Sequence, residues 1–173
     1  MLDACQIRLM TEDDLPMVLA WRNHPDVRRC MFTQHEISME EHRNWFAKTI
    51  LDTSRCLLIV EKAKQAIGYV QFSQVSDGGI ANWGFYVCPK APKGTGIKLG
   101  AMALSHAFGP LKLQKVCGQA IGNNQASIAF HYRLGFVLER VLRDEQRIDG
   151  AYHSVHCFGL LSKEWRVEKI IKE

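Results

Sequence analysis

No stretch of the sequence approaches the roughly 20 consecutive apolar residues that a membrane-spanning helix needs. The opening Met1-Leu2-Asp3-Ala4-Cys5-Gln6 lacks the basic start and apolar run of a signal peptide. A soluble, cytoplasmic protein is therefore expected. Low-complexity segments, internal repeats and linker-like runs are also missing, so the 173 residues are expected to form one domain, 1–173. Cysteine pairs of the C-x-x-C type are absent, and the six cysteines stand singly at 5, 30, 56, 88, 117 and 157, away from histidine clusters. That argues against a metal site and against a disulfide framework, and favours reduced thiols buried in apolar runs such as Arg55-Cys56-Leu57-Leu58-Ile59-Val60. Neither G-x-x-x-x-G-K-S/T nor a G-x-G-x-x-G opening a βαβ unit occurs, which removes the two common nucleotide-binding loops. Charge bias is weak as well. A net +4 from 22 basic and 18 acidic residues does not mark a nucleic-acid binder, but it suits a small anionic ligand.

What is present alternates cleanly between helical and strand patterns. Ile7-Arg8-Leu9 reads as a first strand, and Thr11 followed by Glu12-Asp13-Asp14 predicts a capped helix to about Trp21, broken at Asn23-His24-Pro25. A short helical piece over 26–31 follows. Ser38-Met39-Glu40-Glu41 is a capping-box pattern that starts a second amphipathic helix toward Leu51. Strands are predicted at 56–62, 66–76 and 81–87, with Asp77-Gly78-Gly79 turning the chain between the last two. A helix from the glycines at 94 and 96 to Gly109, a strand over 115–121 and a helix over 125–134 ended by Gly135 come next. Strands 136–147 and 151–161, joined at Asp149-Gly150, complete the order β-α-α-β-β-β-α-β-α-β-β, a mixed α+β domain.

Two segments carry chemistry. Lys93-Gly94-Thr95-Gly96-Ile97 stands between a strand and a helix, where glycines let the backbone approach a ligand and the first free helix amides point outward. This is a pyrophosphate site in outline, although a Gly-x-Gly at such a place is often only a turn. About thirty residues later comes Asn124-Gln125-Ala126-Ser127-Ile128-Ala129-Phe130-His131-Tyr132-Arg133-Leu134-Gly135-Phe136.

On these residues the chain resembles the GNAT N-acetyltransferase family over nearly its whole length. Lys93-x-x-Gly96 is similar to the family's Q/R-x-x-G-x-G/A coenzyme loop, with Lys98 where a small residue is usual. The later segment is similar to its N-x-x-S-apolar-x-x-Y-x-x-x-G-F signature. The resemblance implies a mixed sheet of about seven strands flanked by about four helices, with strands four and five, 81–87 and 115–121, parting in a V. It also implies acetyl-coenzyme A as cosubstrate, no metal, and coenzyme contacts from Tyr86, Val87, Lys93, Gly94, Thr95, Gly96, Ile97, Lys98, Asn124 and Ser127.

The catalytic groups depart from the family pattern. Its tyrosine place, seven after the asparagine, holds His131, with Tyr132 one step and so 100° further round the helix. Either is a candidate to protonate the departing thiolate, a thiol of pKa about 8.5 that water can also serve. The plainer reading of His131 is a histidine on the helix surface. Gln119 stands where related sugar acetyltransferases place a carboxylate; glutamine cannot take the proton but can orient a water. His42, Glu36 and Glu41 are the other base candidates. Cys88 has no basic partner patterned around it, which disfavours an acyl-enzyme.

Trp21-Arg22-Asn23-His24-Pro25, Met31-Phe32 and Ile37-Ser38-x-Glu40-Glu41-His42-x-x-Trp45-Phe46 resemble the subgroup that acetylates the 4-amino group of UDP-linked amino-deoxy sugars in pseudaminic acid biosynthesis. That resemblance implies Arg22, Asn23, Phe32, His42 and Tyr86 as acceptor-binding residues, with Arg22 offering a bidentate phosphate contact and Phe32 or Tyr86 an aromatic face. Trp21, Trp45 and Phe46 are expected in the core. Two other readings stay open: acetylation of a protein N-terminus or ribosomal protein, and a silent coenzyme-binding module. A strand edge near the C-terminus would permit a homodimer.

Overall fold

Leu57, Leu58, Ile59 and Val60 are consecutive and all buried, so the strand that holds them has two covered faces. It is β2 (Arg55–Lys62), next to the edge of a seven-stranded sheet in the computed structural model, which describes residues 5–75 and 79–166. The other strands are β1 (Cys5–Leu9), β3 (Gln65–Ser73), β4 (Ile80–Val87), β5 (Lys115–Ile121), β6 (Val137–Ile148) and β7 (Ala151–Leu161). Their order is β1-β2-β3-β4-β5-β7-β6, and every neighbouring pair is antiparallel except β4 and β5.

That parallel pair is short. Ile80, Ala81 and Asn82 face Lys115, Val116 and Cys117, and beyond these the two strands diverge in the expected V. Each is held on its outer side: β3 stays paired with β4 as far as Val87, and β7 with β5 as far as Ile121. The inner edges facing the gap are thus left without a ladder partner.

The helices are α1 (Leu15–Asn23), α2 (Pro25–Arg28), α3 (Met39–Thr49), α4 (Thr95–Phe108) and α5 (Gln125–Arg133), with a 3₁₀ turn at Glu12–Asp14. There are five among the described residues rather than about four, because Pro25 starts a separate four-residue turn after the break. Ser38 caps α3 by accepting from the Glu41 amide at 3.1 Å. Gly135, at φ +90°, closes α5: its amide reaches the Tyr132 carbonyl and that of Phe136 the His131 carbonyl, each at 3.0 Å. Asp149 (φ +48°) and Gly150 (φ +84°) turn β6 into β7 with the two left-handed residues of a tight hairpin. The turn expected at Asp77-Gly78 lies outside the described residues.

The sheet separates two cores. On one face α4 and α5 bury Leu99, Leu104 and Leu134 against Leu58, Phe72 and Leu160. On the other, Leu15, Val18, Trp21 and Phe46 of α1 and α3 cover Leu57, Ile59 and Tyr69. Trp45, expected in the core, is instead half-buried and edges a cleft on this second face. None of the described helices is long and apolar enough to cross a membrane.

Candidate active site

Strand divergence opens a cleft of about 810 Å³ between β4 and β5, extending beneath α1, α3 and the segment that joins α2 to α3. Both helices that follow the parting strands begin at its mouth. Gly94 caps α4 at φ +84°, a left-handed conformation that favours glycine. The Thr95 amide and hydroxyl both go to the Pro92 carbonyl, at 3.1 and 2.7 Å, and the Lys98 amide turns back to Gly94 at 3.4 Å. The amides of Gly96 and Ile97 are left without an acceptor among the described residues. Gly96 borders the cleft, and a side chain there would sit 3.7 Å from Phe130 and from Val87, filling that approach. Opposite, Asn124 caps α5 by accepting from the Ser127 amide at 3.1 Å, which leaves its amide NH₂ group available.

Of the residues singled out for the coenzyme, Tyr86, Val87, Gly96, Asn124 and Ser127 line this cleft. Lys93, Gly94, Thr95, Ile97 and Lys98 do not; Thr95 is buried with its hydroxyl spent on the turn, and Ile97 packs on the core. For these two the side chains hold the loop's shape, and only the Ile97 backbone amide is left free, that of Thr95 being spent on Pro92.

His131 is not available as an acid. It is 1% exposed, stacked on Phe158 with centroids 4.7 Å apart, and both ring nitrogens are engaged. Nδ1 lies 2.7 Å from the Ser127 carbonyl, so it carries the proton, and Nε2 accepts from Trp83 Nε1 at 3.2 Å. Burial holds its pKa below the ordinary value, so the ring stays neutral. Neither a proton donor in the cleft nor a surface histidine, it is a strut. The Trp83 that it holds is the first residue of β4 beyond the paired segment, and Gly118 is the first of β5. A side chain on Gly118 would meet Trp83 Nε1 at 2.6 Å, so glycine makes room for the contact. Tyr132 is also displaced: half exposed, it packs edge-on against Phe158 and does not reach the cleft. The helix register that buries position 131 turns position 132 outward.

Gln119 does face the cleft, exposed and 3.7 Å from the Cys157 sulfur. Arg22, Phe32 and His42 line it too. Asn23 does not, because both ends of its amide are paired with the backbone of Ile37, at 2.7 and 2.9 Å. It pins the segment that carries Phe32 and is not free for an acceptor. Arg22 donates to the Thr33 carbonyl at 2.8 Å, while its Nη1 is buried with no partner. Desolvation draws the Arg22 pKa down, and the same cause lowers that of His42, whose ring stacks on Trp45 at 5.2 Å with Nε2 unpartnered. Burial pushes the Tyr86 phenol well above its usual range and raises the Cys88 thiol, so neither is an activated nucleophile. Glu36 pairs with Arg28 at 3.3 Å outside the cleft; Glu41 lines it but faces His35 at 3.1 Å.

Sequence reasoning missed Arg55, Tyr69, Gln71 and Asn82, which line the cleft from β2, β3 and β4. The available signal was Gln71 set between Val70 and Phe72, both fully buried: a polar side chain on the other face of an otherwise apolar strand. Among the described residues no group of three or more histidines, cysteines or carboxylates is placed to hold a metal.

Residues 5–137 match the family model described as acetyltransferase (GNAT) domain. Acetyltransferase PseH of Campylobacter jejuni (serotype O:23/36, strain 81-176) is 26% identical over 129 residues, covering 75% of this chain and 80% of that protein. The putative ribosomal N-acetyltransferase YdaF of Bacillus subtilis strain 168 is 33% identical over 91 residues, 51% of this chain and 49% of its own length. Among solved structures, the spermidine N-acetyltransferase of Vibrio cholerae in complex with CoA and spermine superposes with a TM-score of 0.86 at 24% identity, over 94% of this chain and 98% of that one. With the parted strands, the free amides at the mouth of α4 and the family match over most of its length, this chain belongs to the GNAT acetyltransferase family and is an acetyl-CoA-dependent N-acetyltransferase.

Proposed function

We propose that the chain is a cytoplasmic enzyme that acetylates the amine of a nucleotide-linked amino-deoxy sugar by direct attack. The observation that carries this reading is the charge of the cleft. Its carboxylates already face bases, Asp26 with Arg29 at 3.3 Å and Glu41 with His35 at 3.1 Å, whereas Arg22 has no acidic partner among the described residues. A guanidinium at the wall of a cleft that makes no ion pair, with Glu41 only in Coulombic reach, suits a diphosphate. Phe32, exposed at the rim, and Tyr86 offer faces for the base or the hexose. The two PseH relatives from Campylobacter jejuni support the same acceptor class.

When bound, acetyl-coenzyme A supplies the acyl thioester. The residues present fit it: the Gly96 and Ile97 amides would meet its diphosphate, and Asn124, Ser127 and the unpaired edges of β4 and β5 its amide arm. A backbone amide near Tyr86-Val87 would face the developing oxyanion. With His131 and Tyr132 withdrawn, the thiolate leaves without a proton donor from α5, which a group of pKa about 8.5 permits. Gln119 would hold a water near the amine, and His42 is the neutral base candidate that lines the cleft. The open edge of β6, with Val137 and Val141 exposed, is where a homodimer would pair.

A polyamine acceptor is the second reading, favoured by the carboxylates of Asp26 and Glu41 on the wall. Purified protein with acetyl-CoA, assayed for released thiol, decides between them. Turnover with a UDP-4-amino-4,6-dideoxy sugar and none with spermidine or peptides is expected; the opposite preference would overturn the sugar reading.

A further inference from the structure

Beyond Arg22, the cleft contains a second cation, Arg55, that makes no ion pair among the described residues, with Asp52 alone in Coulombic reach. Arg55, at the start of β2, donates from Nη2 to Gln71 Oε1 at 3.3 Å, and its Nε is buried without a partner. The Tyr69 hydroxyl donates to the same Gln71 oxygen at 3.2 Å. Two donors on Oε1 fix the amide's orientation, so its NH₂ group must point the other way. That group lies over Gly84, where an added side chain would stand 3.1 Å from Nε2, and it has no acceptor among the described residues. Gly84 is the residue of β4 directly across from Gln71 and lies two residues past the last one paired with β5, and both line the cleft. All three side chains line the same cavity.

The set is donor-rich, and the Tyr69 hydroxyl oxygen is its one spare, weak acceptor. Its unmet groups are a guanidinium N–H and an amide NH₂, and the one strong acceptor, Gln71 Oε1, is already used twice. Such a cluster discriminates against ammonium and in favour of an oxyanion. Arg22 stands within Coulombic reach of Tyr86, and Arg55 of Tyr69, while the two tyrosine rings pack with centroids 4.9 Å apart. The two guanidinium groups therefore flank one aromatic floor.

We propose that Arg55 and Gln71, aligned by Tyr69, form a second acceptor subsite that binds an oxyanion, phosphate or carboxylate, of the amine substrate. The proposal rests on the anionic-acceptor reading above but is testable apart from it.

The test is isothermal titration of the intact protein with coenzyme A held at saturation, so that added anions do not occupy the coenzyme's own phosphate site. The probes are UDP-N-acetylglucosamine, glucuronate, uridine and spermidine, against wild type, R55M, R55K and Q71L. Wild type is expected to bind one of the two anionic probes at least about tenfold more tightly than uridine, UDP-N-acetylglucosamine for a phosphate site and glucuronate for a carboxylate site. R55M and Q71L are expected to lose about tenfold or more in that affinity and R55K to recover part, with coenzyme A affinity unchanged as the control for folding. Unchanged anion affinity in R55M and Q71L, or spermidine binding more tightly than either anion, overturns the subsite. If no UDP-amino sugar is turned over while the Arg55-dependent anion binding persists, the acceptor reading falls and the subsite stands. If such a sugar is acetylated by R55M with unchanged KM, the subsite falls and the acceptor reading stands.

Discussion

Replacing His131 with leucine separates a structural histidine from a catalytic one. The substitution removes the acceptor for the Trp83 indole N–H and the donor to the Ser127 carbonyl, both in a site 1% exposed. A buried donor left unsatisfied costs about 1–3 kcal/mol, and the lost stacking on Phe158 about 0.5–1 kcal/mol more. A total of about 1.5–4 kcal/mol leaves a domain of this size folded and lowers Tm by about 3–16 °C. Urea unfolding followed by tryptophan fluorescence measures it. The penalty also depends on pH. Because burial depresses the folded-state pKa of His131, its neutral-form stabilisation is complete above the ordinary value near 6.5 and declines as pH falls through the depressed one. The gap between wild type and variant is therefore expected to narrow on acidification. At a temperature where both are folded, kcat should stay within about threefold across the pH range. A general acid contributes about 10²–10⁴-fold; a fall of that size with stability unchanged would refute the strut and restore His131 as the proton donor.

Arg22→Met is expected to raise acceptor KM by about tenfold with the KM for acetyl-CoA unchanged, since it removes one charged contact on the acceptor side; initial-rate kinetics in both substrates check it. Gly94→Ala meets no atom within 4 Å, so its cost is the left-handed backbone alone, about 1 kcal/mol by denaturant melt. Phe72, fully buried beneath α4, is expected to cost about 3–5 kcal/mol on truncation to alanine. Asp14, held by Arg8 at 2.7 Å, has its pKa lowered chiefly by that hydrogen bond; its contribution is complete above the unfolded value near 3.8 and lost as pH falls through the lower folded one. Asp14→Asn should therefore flatten the acid limb of a stability-versus-pH curve.

Local signals carried most of the fold. Capping at Ser38, the Asp149-Gly150 turn and the Gly135 stop each report chemistry that a few neighbouring residues decide, and these features stand where the sequence places them. The side of the helix that faces the cleft was not legible in the same way. Whether position 131 or 132 points inward depends on how α5 rolls against β5 and β7, and that is set by Trp83, Gly118 and Phe158, residues far away in the chain. Asn23 illustrates a related limit: a polar residue beside Arg22 suggests ligand contact, but its amide is consumed by Ile37, fourteen residues on. The polar floor at Arg55 and Gln71 was hidden because strand periodicity tells two faces apart without telling which one is left uncovered.

The three residue pairs that join β4 to β5 have a mechanical corollary. Strands β1 to β4 make one leaf and β5, β7 and β6 another, each knitted by long antiparallel ladders; the short parallel seam, the Trp83–His131 contact just past its end and the core shared under α4 and α5 join them. Opening the gape would leave both ladders intact but shear that shared core, so the packing of α4 and α5 sets the width of the cleft rather than hydrogen bonds across it.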